Sequence, residues 1–188
     1  MTKPGRPKPL TATVTYLEMR TPPRSHFPLP VNIQAAMIEA REIPLHFYRY
    51  LQYRTGRRWH WVYRLRLDDA ALSSIVHSDR TQIDVLYVDG APAGFFELRR
   101  DDDGTVDLAY FGLMPHVHGR GLGKWFLSQA VDAAWALKPG RVTVNTNTLD
   151  HPAALPLYQR IGFEPVGQSE AIIQPLTDED YLRLARFD

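Results

Sequence analysis

The chain has 188 residues, the size of one domain. Hydrophobic residues make up 44% and charged residues 23%, an ordinary globular balance that argues against disorder. Lys+Arg 22 against Asp+Glu 21 gives a net charge of +1, so bulk electrostatics makes no case for a nucleic-acid-coating or membrane-surface protein. There is no cysteine, which excludes disulfides, cysteine-based metal sites and a thiol nucleophile. The first ten residues carry Lys3, Arg6 and Lys8 among Pro4, Pro7 and Pro9, with no apolar run behind them. The expectation is a flexible basic tail over 1–10, a domain over 11–188, no membrane span and a cytoplasmic location.

Thr11–Met19 alternates with β-branched and aromatic residues and predicts a strand. Pro22, Pro23, Pro28 and Pro30 predict a loop after it. From Asn32 to Tyr53 apolar residues recur at helical spacing (Ile33, Ala36 and Met37, then Phe47, Tyr50 and Leu51), which predicts helix broken or kinked at Pro44 and ended by Gly56. Asp68–Val76 predicts a short helix opened by an acidic pair. Gln82–Val88 and Ala93–Arg99 flank the turn Asp89-Gly90-Ala91-Pro92 and predict a hairpin. Asp101–Gly104 reads as a second turn and Thr105–Met114 as a third strand; the three acids lack the further ligands a calcium loop requires.

Gly121–Lys138 shows the strongest periodicity in the chain. Leu122, Phe126, Ala130 and Ala134 form one helical row beside Leu127, Val131 and Trp135, and Pro139-Gly140 stops it. Arg141–Asn145 predicts a strand and His151–Ile161 a helix that starts late or bends at Pro156. Phe163–Gln174 predicts a strand or hairpin, and Thr177–Asp188 a helical turn. The strand–helix–strand–helix run over 105–161 requires a parallel pair, so the expected class is α/β with an antiparallel front half.

The chemistry concentrates in Leu113-Met114-Pro115-His116-Val117-His118-Gly119-Arg120-Gly121-Leu122-Gly123-Lys124, where a strand ends, glycines follow and a long helix begins. Glycines let backbone approach an anion, and the free amides and dipole of the helix start then bind phosphate. A P-loop fails, because His118 stands at its first glycine and Trp125 replaces the magnesium-binding Ser/Thr. The dinucleotide fingerprint fails too, with Lys124 at its third glycine. His116 and His118 lack a third metal ligand nearby, so no metal site is expected.

Thirty-five residues after Gly123 stands Tyr158, within Ala154-Leu155-Pro156-Leu157-Tyr158-Gln159-Arg160-Ile161-Gly162-Phe163. Together the two segments resemble the GNAT superfamily of acyl-CoA-dependent N-acyltransferases. His118-Gly119-Arg120-Gly121-Leu122-Gly123 matches its pyrophosphate loop, and Ala154, Leu157, Tyr158, Gly162 and Phe163 its downstream signature. Asp107–Leu113 and Thr148–Leu155 look like a bacterial subgroup of unassigned acceptor. The resemblance covers about residues 81–165. It departs from the family at His118, where Gln or Arg is usual, and at His151, where Asn is frequent.

The resemblance implies a single GNAT-like α/β domain whose mixed, mostly antiparallel sheet of six to seven strands has helices on both faces. It implies acetyl-CoA as co-substrate, held by Leu113, Met114, His118, Gly119, Arg120, Gly121, Leu122, Gly123, Lys124 and His151. It also implies a small-molecule or peptide amine as acceptor and a monomer or homodimer, with nucleic acid not expected. Amine acylation by a thioester needs a neutral amine, a polarised carbonyl and a stabilised leaving thiolate. The strands over 105–114 and 141–145 should separate near their ends, freeing the Leu113 or Met114 amide for the carbonyl. Tyr158 is the general acid by resemblance, against a packing role; Asp107 is the candidate base, its spacing before His118 matching some members of the family, with Glu97 in reserve and a solvated strand charge as the alternative for each. Arg41–Arg66 holds seven arginines interleaved with aromatics and one acid, Glu42. That stretch either selects an acidic or aromatic acceptor, binds nucleic acid, or packs on the sheet with its arginines outward. A CoA-binding sensor without turnover is the alternative function.

Overall fold

The computed structural model describes residues 7–24 and 26–184. Seven strands form one sheet: β1 (Leu10–Met19), β2 (Ala35–Glu39), β3 (Thr81–Val88), β4 (Ala91–Arg100), β5 (Thr105–Leu113), β6 (Arg141–Asn147) and β7 (Glu164–Ile173). Five α-helices accompany them: α1 (Leu45–Gly56), α2 (Asp69–Val76), α3 (Leu122–Ala136), α4 (Ala154–Ile161) and α5 (Asp178–Leu184). The strand order is β2-β3-β4-β5-β6-β1-β7. Every neighbouring pair is antiparallel except β5 and β6, whose parallel pairing follows from the crossover through α3.

Alternation along the strands sorts two cores onto the two faces. Val85 and Phe95 pack with Tyr48, Leu51, Leu72 and Val76 of α1 and α2. Their neighbours Leu86 and Phe96 turn the other way, toward Leu122, Phe126 and Ala130 of α3 and Tyr158 of α4. Helices therefore cover both faces, as the α/β reading requires. The β3–β4 hairpin turns at Asp89 and Gly90, both with positive φ (51° and 83°), which matches the strand twist.

Three boundaries differ from the sequence reading. Ala35–Glu39 is an edge strand paired with Val88–Asp84 of β3, where spacing had predicted helix. Only the second half of that periodic stretch, beyond Pro44, is helical. Leu10 already belongs to β1, and Gln174 Nε2 donates to the Pro7 carbonyl (2.6 Å), so 7–10 is tied to the body; residues 1–6 of the expected tail lie outside the described residues. The helix expected from His151 starts late, at Ala154, which is one of the two outcomes expected of Pro156. The proline sits third in the helix, in the first turn, where its missing N–H has no intrahelical partner to lose. The C-terminal helical turn is α5, whose Tyr181 packs on Tyr53 of α1 (5.4 Å between rings); residues 185–188 of that expectation are outside the described ones.

Candidate active site

The pairing of β5 with β6 lasts only from Thr105–Arg141 to Asp107–Thr143. Beyond it β6 runs on beside β1, and β5 runs on beside β4, so the two strands part. A bulge adds to this: Glu97 of β4 faces Tyr110 while Leu98 faces Leu108, leaving Ala109 extra. The extra residue turns Tyr110 toward Phe95 and Trp61 on one face and Phe111 toward Phe126 on the other. Between the parted strands lies a cavity of about 900 Å³.

One end of the cavity is the glycine turn. Gly119 and Gly121 both have φ 78°, a conformation other residues adopt only under strain. A Cβ on Gly119 would meet nothing within 4 Å, and on Gly121 only Pro30 Cγ at 3.5 Å, so backbone there is open to a ligand. Gly121 is the residue before α3; no side chain caps that helix and its first turn carries no acid. Lys124 stands there instead, a placement that the helix dipole disfavours unless an anion joins it. Gly119, Gly121, Leu122, Gly123 and Lys124 all line the cavity.

Leu113 lines it as well. Met114 N–H donates to the Ala93 carbonyl (2.7 Å) on the β4 side, so by alternation the Leu113 amide faces the opposite side, where β6 has moved away. The His118 ring bonds the Leu113 carbonyl through Nε2 (2.9 Å) and lies edge-on to His151 (6.0 Å between rings). Both histidines line the cavity, and the His151 Nδ1 accepts the Ala153 N–H (3.1 Å). Tyr158 reaches the cavity from α4 with its ring against Phe111 and Phe163. Burial raises its pKa, and the charges of Asp150 and Asp107 raise it further, so its hydroxyl keeps its proton.

Three residues expected at the site fall elsewhere. The Met114 amide is spent on Ala93 and its side chain is buried in the α1–α2 core. Arg120 points away to Asp89 (2.9 Å), and its amide bonds the Val117 carbonyl (3.4 Å). Asp107 occupies the last paired rung of β5 and β6, accepts the Thr143 hydroxyl (2.8 Å) and is not among the lining residues. Glu97 is sealed entirely: it accepts Tyr48 (2.5 Å) and Arg64 (2.6 Å), whose guanidinium also lies over Tyr110. It binds the α1 region to the sheet and is closed to any substrate.

Burial raises the pKa of Asp107, with the Thr143 hydroxyl and Arg99 opposing it. The proton is thus held more tightly in the fold than in the open chain. That contribution to stability is full below the ordinary carboxylate range and disappears as pH rises through the raised value. Asp107→Asn keeps an acceptor for Thr143 and removes the buried charge. It is expected to raise the melting temperature at pH 7, with the gain vanishing by about pH 3 as Asp107 itself takes a proton in the fold and the open chain alike. Paired thermal melts across pH decide it; a loss of stability at pH 7 would show that the charged form is favoured instead.

The lining residues that sequence reasoning missed come from two places. Trp59, His60, Trp61 and Tyr63 follow α1, in the stretch singled out only as rich in arginine and aromatics. Asn145, Asn147 and Asp150 end β6 and lead to α4. Asp150 accepts Trp61 Nε1 (3.2 Å), the Thr146 hydroxyl (2.8 Å) and the Asn147 amide (2.9 Å). In the sequence it stands inside Thr148–Leu155, one of the segments that carry the resemblance, with no role assigned to it. Among the described residues no cluster of three or more His, Asp or Glu could hold a metal, and no helix is long and apolar enough to cross a membrane.

The family model described as "Acetyltransferase (GNAT) family" matches residues 38–163, more than half of the chain. The chain belongs to the GNAT acetyltransferase family. Its fold is shared with a GCN5-related N-acetyltransferase from Sphaerobacter thermophilus (TM-score 0.61, 17% identity, covering 92% of this chain and 55% of that one). It is shared too with the ribosomal-protein-S18-alanine N-acetyltransferase from Escherichia coli (0.56, 14%, 77% and 97%). A third is AAC(6')-Iy in complex with a CoA bisubstrate analogue (0.53, 20%, 70% and 91%). The chain spans between 55% and 66% of the length of several larger structures that it matches over most of its own. No curated protein matches the sequence. GNAT proteins use acetyl-CoA, and the open glycine turn beside Lys124 fits the diphosphate of that co-substrate.

Proposed function

We propose that this GNAT domain transfers the acetyl group of acetyl-CoA to the amine of a small molecule or peptide by direct attack in a ternary complex. The observation that carries this reading is the single cavity between β5 and β6. Its one end offers glycine backbone and Lys124 for a diphosphate, and its middle offers the Leu113 amide and the Tyr158 hydroxyl. The diphosphate rests on the amides that open α3, with His118 and His151 beside it. The thioester carbonyl accepts the Leu113 N–H, which stabilises the oxyanion as it forms.

The amine nitrogen bonds to the carbonyl carbon, the carbon–sulfur bond breaks, and CoA leaves as thiolate under the Tyr158 hydroxyl. The proton lost by the amine passes through water; Asp107, behind the cavity wall, can take it only that way. Direct attack is favoured because the chain has no cysteine and, among the described residues, no serine lines the cavity to form a covalent intermediate. Free thiol appearing from acetyl-CoA in the presence of an amine panel tests the reading. The expected result is thiol release that depends on amine. Tight CoA binding without release across primary amines, amino acids and peptides would point instead to a sensor.

A further inference from the structure

Among the described residues the cavity is lined by two basic side chains other than histidine, Lys124 of α3 and Arg160 of α4, and by one acid, Asp150. All three donors to Asp150 are neutral: the Trp61 indole, the Thr146 hydroxyl and the Asn147 amide. Trp61, which orients the carboxylate, is itself built in. A Cβ on Gly56 would lie 2.4 Å from Trp61 Cβ, and one on Gly112 3.0 Å from Trp61 Cη2, so both positions leave room for the indole. The Trp61 amide donates to the Gly56 carbonyl (3.1 Å), and its ring meets Tyr110 edge-on (5.2 Å). A carboxylate held by neutral donors beside an indole is completed by a cation. Tyr110 already carries Phe95 stacked on its ring and the Arg64 guanidinium over it, which leaves Trp61 as the aromatic wall beside Asp150.

Most of the arginines that first pointed to an acidic acceptor are engaged elsewhere. Arg49 pairs with Asp69 (2.7 Å), Arg57 with Asp178 (2.6 Å) and Arg64 with Glu97, while Arg66 bonds the Gln174 carbonyl. None of the seven lines the cavity. Trp59, Trp61 and Tyr63, which stand among them, do.

We propose that Asp150 is the acceptor-binding residue, holding a small organic cation whose flat apolar body lies against Trp61. The word acceptor rests on the acetyltransferase reading; the cation site does not. The class is a monoamine with an aromatic or compact apolar body. An acidic acceptor would meet Asp150 with like charge. A polyamine would bring second and third charges toward Lys124 and Arg160.

Calorimetry on the CoA-loaded protein with phenethylamine and 3-phenylpropionate, similar in size and opposite in charge, tests the proposal. The amine is expected to bind at least tenfold more tightly than the acid. Asp150→Asn should weaken amine binding tenfold or more while CoA affinity stays as in the parent; the melting temperature falls, because the amide NH2 replaces one of the two acceptor oxygens. Equal binding of the two compounds, no binding of either, or unchanged amine affinity in a variant that still binds CoA would overturn the assignment. If the variant fails to fold, the comparison of the two compounds on the parent protein decides alone. Thiol release is read separately. Amine selectivity without release would leave the Asp150 site and remove acetyl transfer; release with no charge preference would do the reverse.

Discussion

Replacing Tyr158 by phenylalanine is expected to lower turnover about 10²-fold while leaving CoA affinity and melting temperature nearly unchanged. The ring packs against Phe111 and Phe163 and is almost fully buried, and phenylalanine preserves that packing. Only the hydroxyl is lost. Burial, together with Asp150 and Asp107, holds that hydroxyl in its neutral form, so it is ready to donate at any working pH. The same shift limits what it donates. A thiol titrates near 8.5, below the phenol, so complete proton transfer to the thiolate runs uphill. Tyr158 therefore acts by a hydrogen bond that strengthens as charge gathers on sulfur, and solvent delivers the final proton. The defect in Tyr158→Phe should then be nearly flat from pH 6 to 9. A defect that shrinks steeply toward pH 9 would mean that full protonation of the thiolate limits the parent. A rate equal to the parent across that range would leave Tyr158 as core packing alone, and Tyr158→Ala would then lose stability without a separate effect on chemistry.

What the sequence disclosed, and what it hid, follows the range of the interactions involved. The long helix α3 and the hairpin of β3 and β4 were legible because local rules decide them: one apolar stripe at helical spacing, and an Asp-Gly turn between alternating runs. The parallel pairing of β5 with β6 followed from the helix standing between them. Ala35–Glu39 misled because Ile33, Ala36 and Met37 carry helical spacing, yet the segment finds its hydrogen-bond partners on β3 across the sheet. Tertiary pairing overrode a weak local preference. The place of β1 between β6 and β7 has no local signature at all. The glycine turn was legible as a motif, but which of its neighbours face the ligand was not. Met114 and Arg120 sit inside the motif and are turned away by one backbone bond to Ala93 and one ion pair to Asp89. Asp107 illustrates the same limit: its spacing was suggestive, but the pairing with Thr143 puts it one rung behind the cavity. Asp150 became visible only when Trp61, 89 positions earlier, was seen to donate to it.

Gly121→Glu is expected to abolish measurable CoA binding while the fold persists. Gly121 carries φ 78° at the start of α3, and a residue with a Cβ pays about 1 kcal/mol there. Room is not the obstacle, since Pro30 Cγ at 3.5 Å is the one atom a Cβ would approach. A carboxylate beside the first turn of a helix even gains about 0.3–1 kcal/mol from the dipole, which offsets much of the strain. The melting temperature should accordingly fall by no more than about 4 °C. The same carboxylate occupies the region where the diphosphate must meet the α3 amides and Lys124, and it brings like charge into it. Gly121→Ala separates the two effects: it carries the backbone strain without the charge, and should bind CoA within about tenfold of the parent, the scale of a 1.4 kcal/mol change. Calorimetry on the three folded proteins reads the series. Equal loss in both variants would assign the defect to backbone geometry, and full affinity in Gly121→Glu would place the diphosphate somewhere other than the turn before α3.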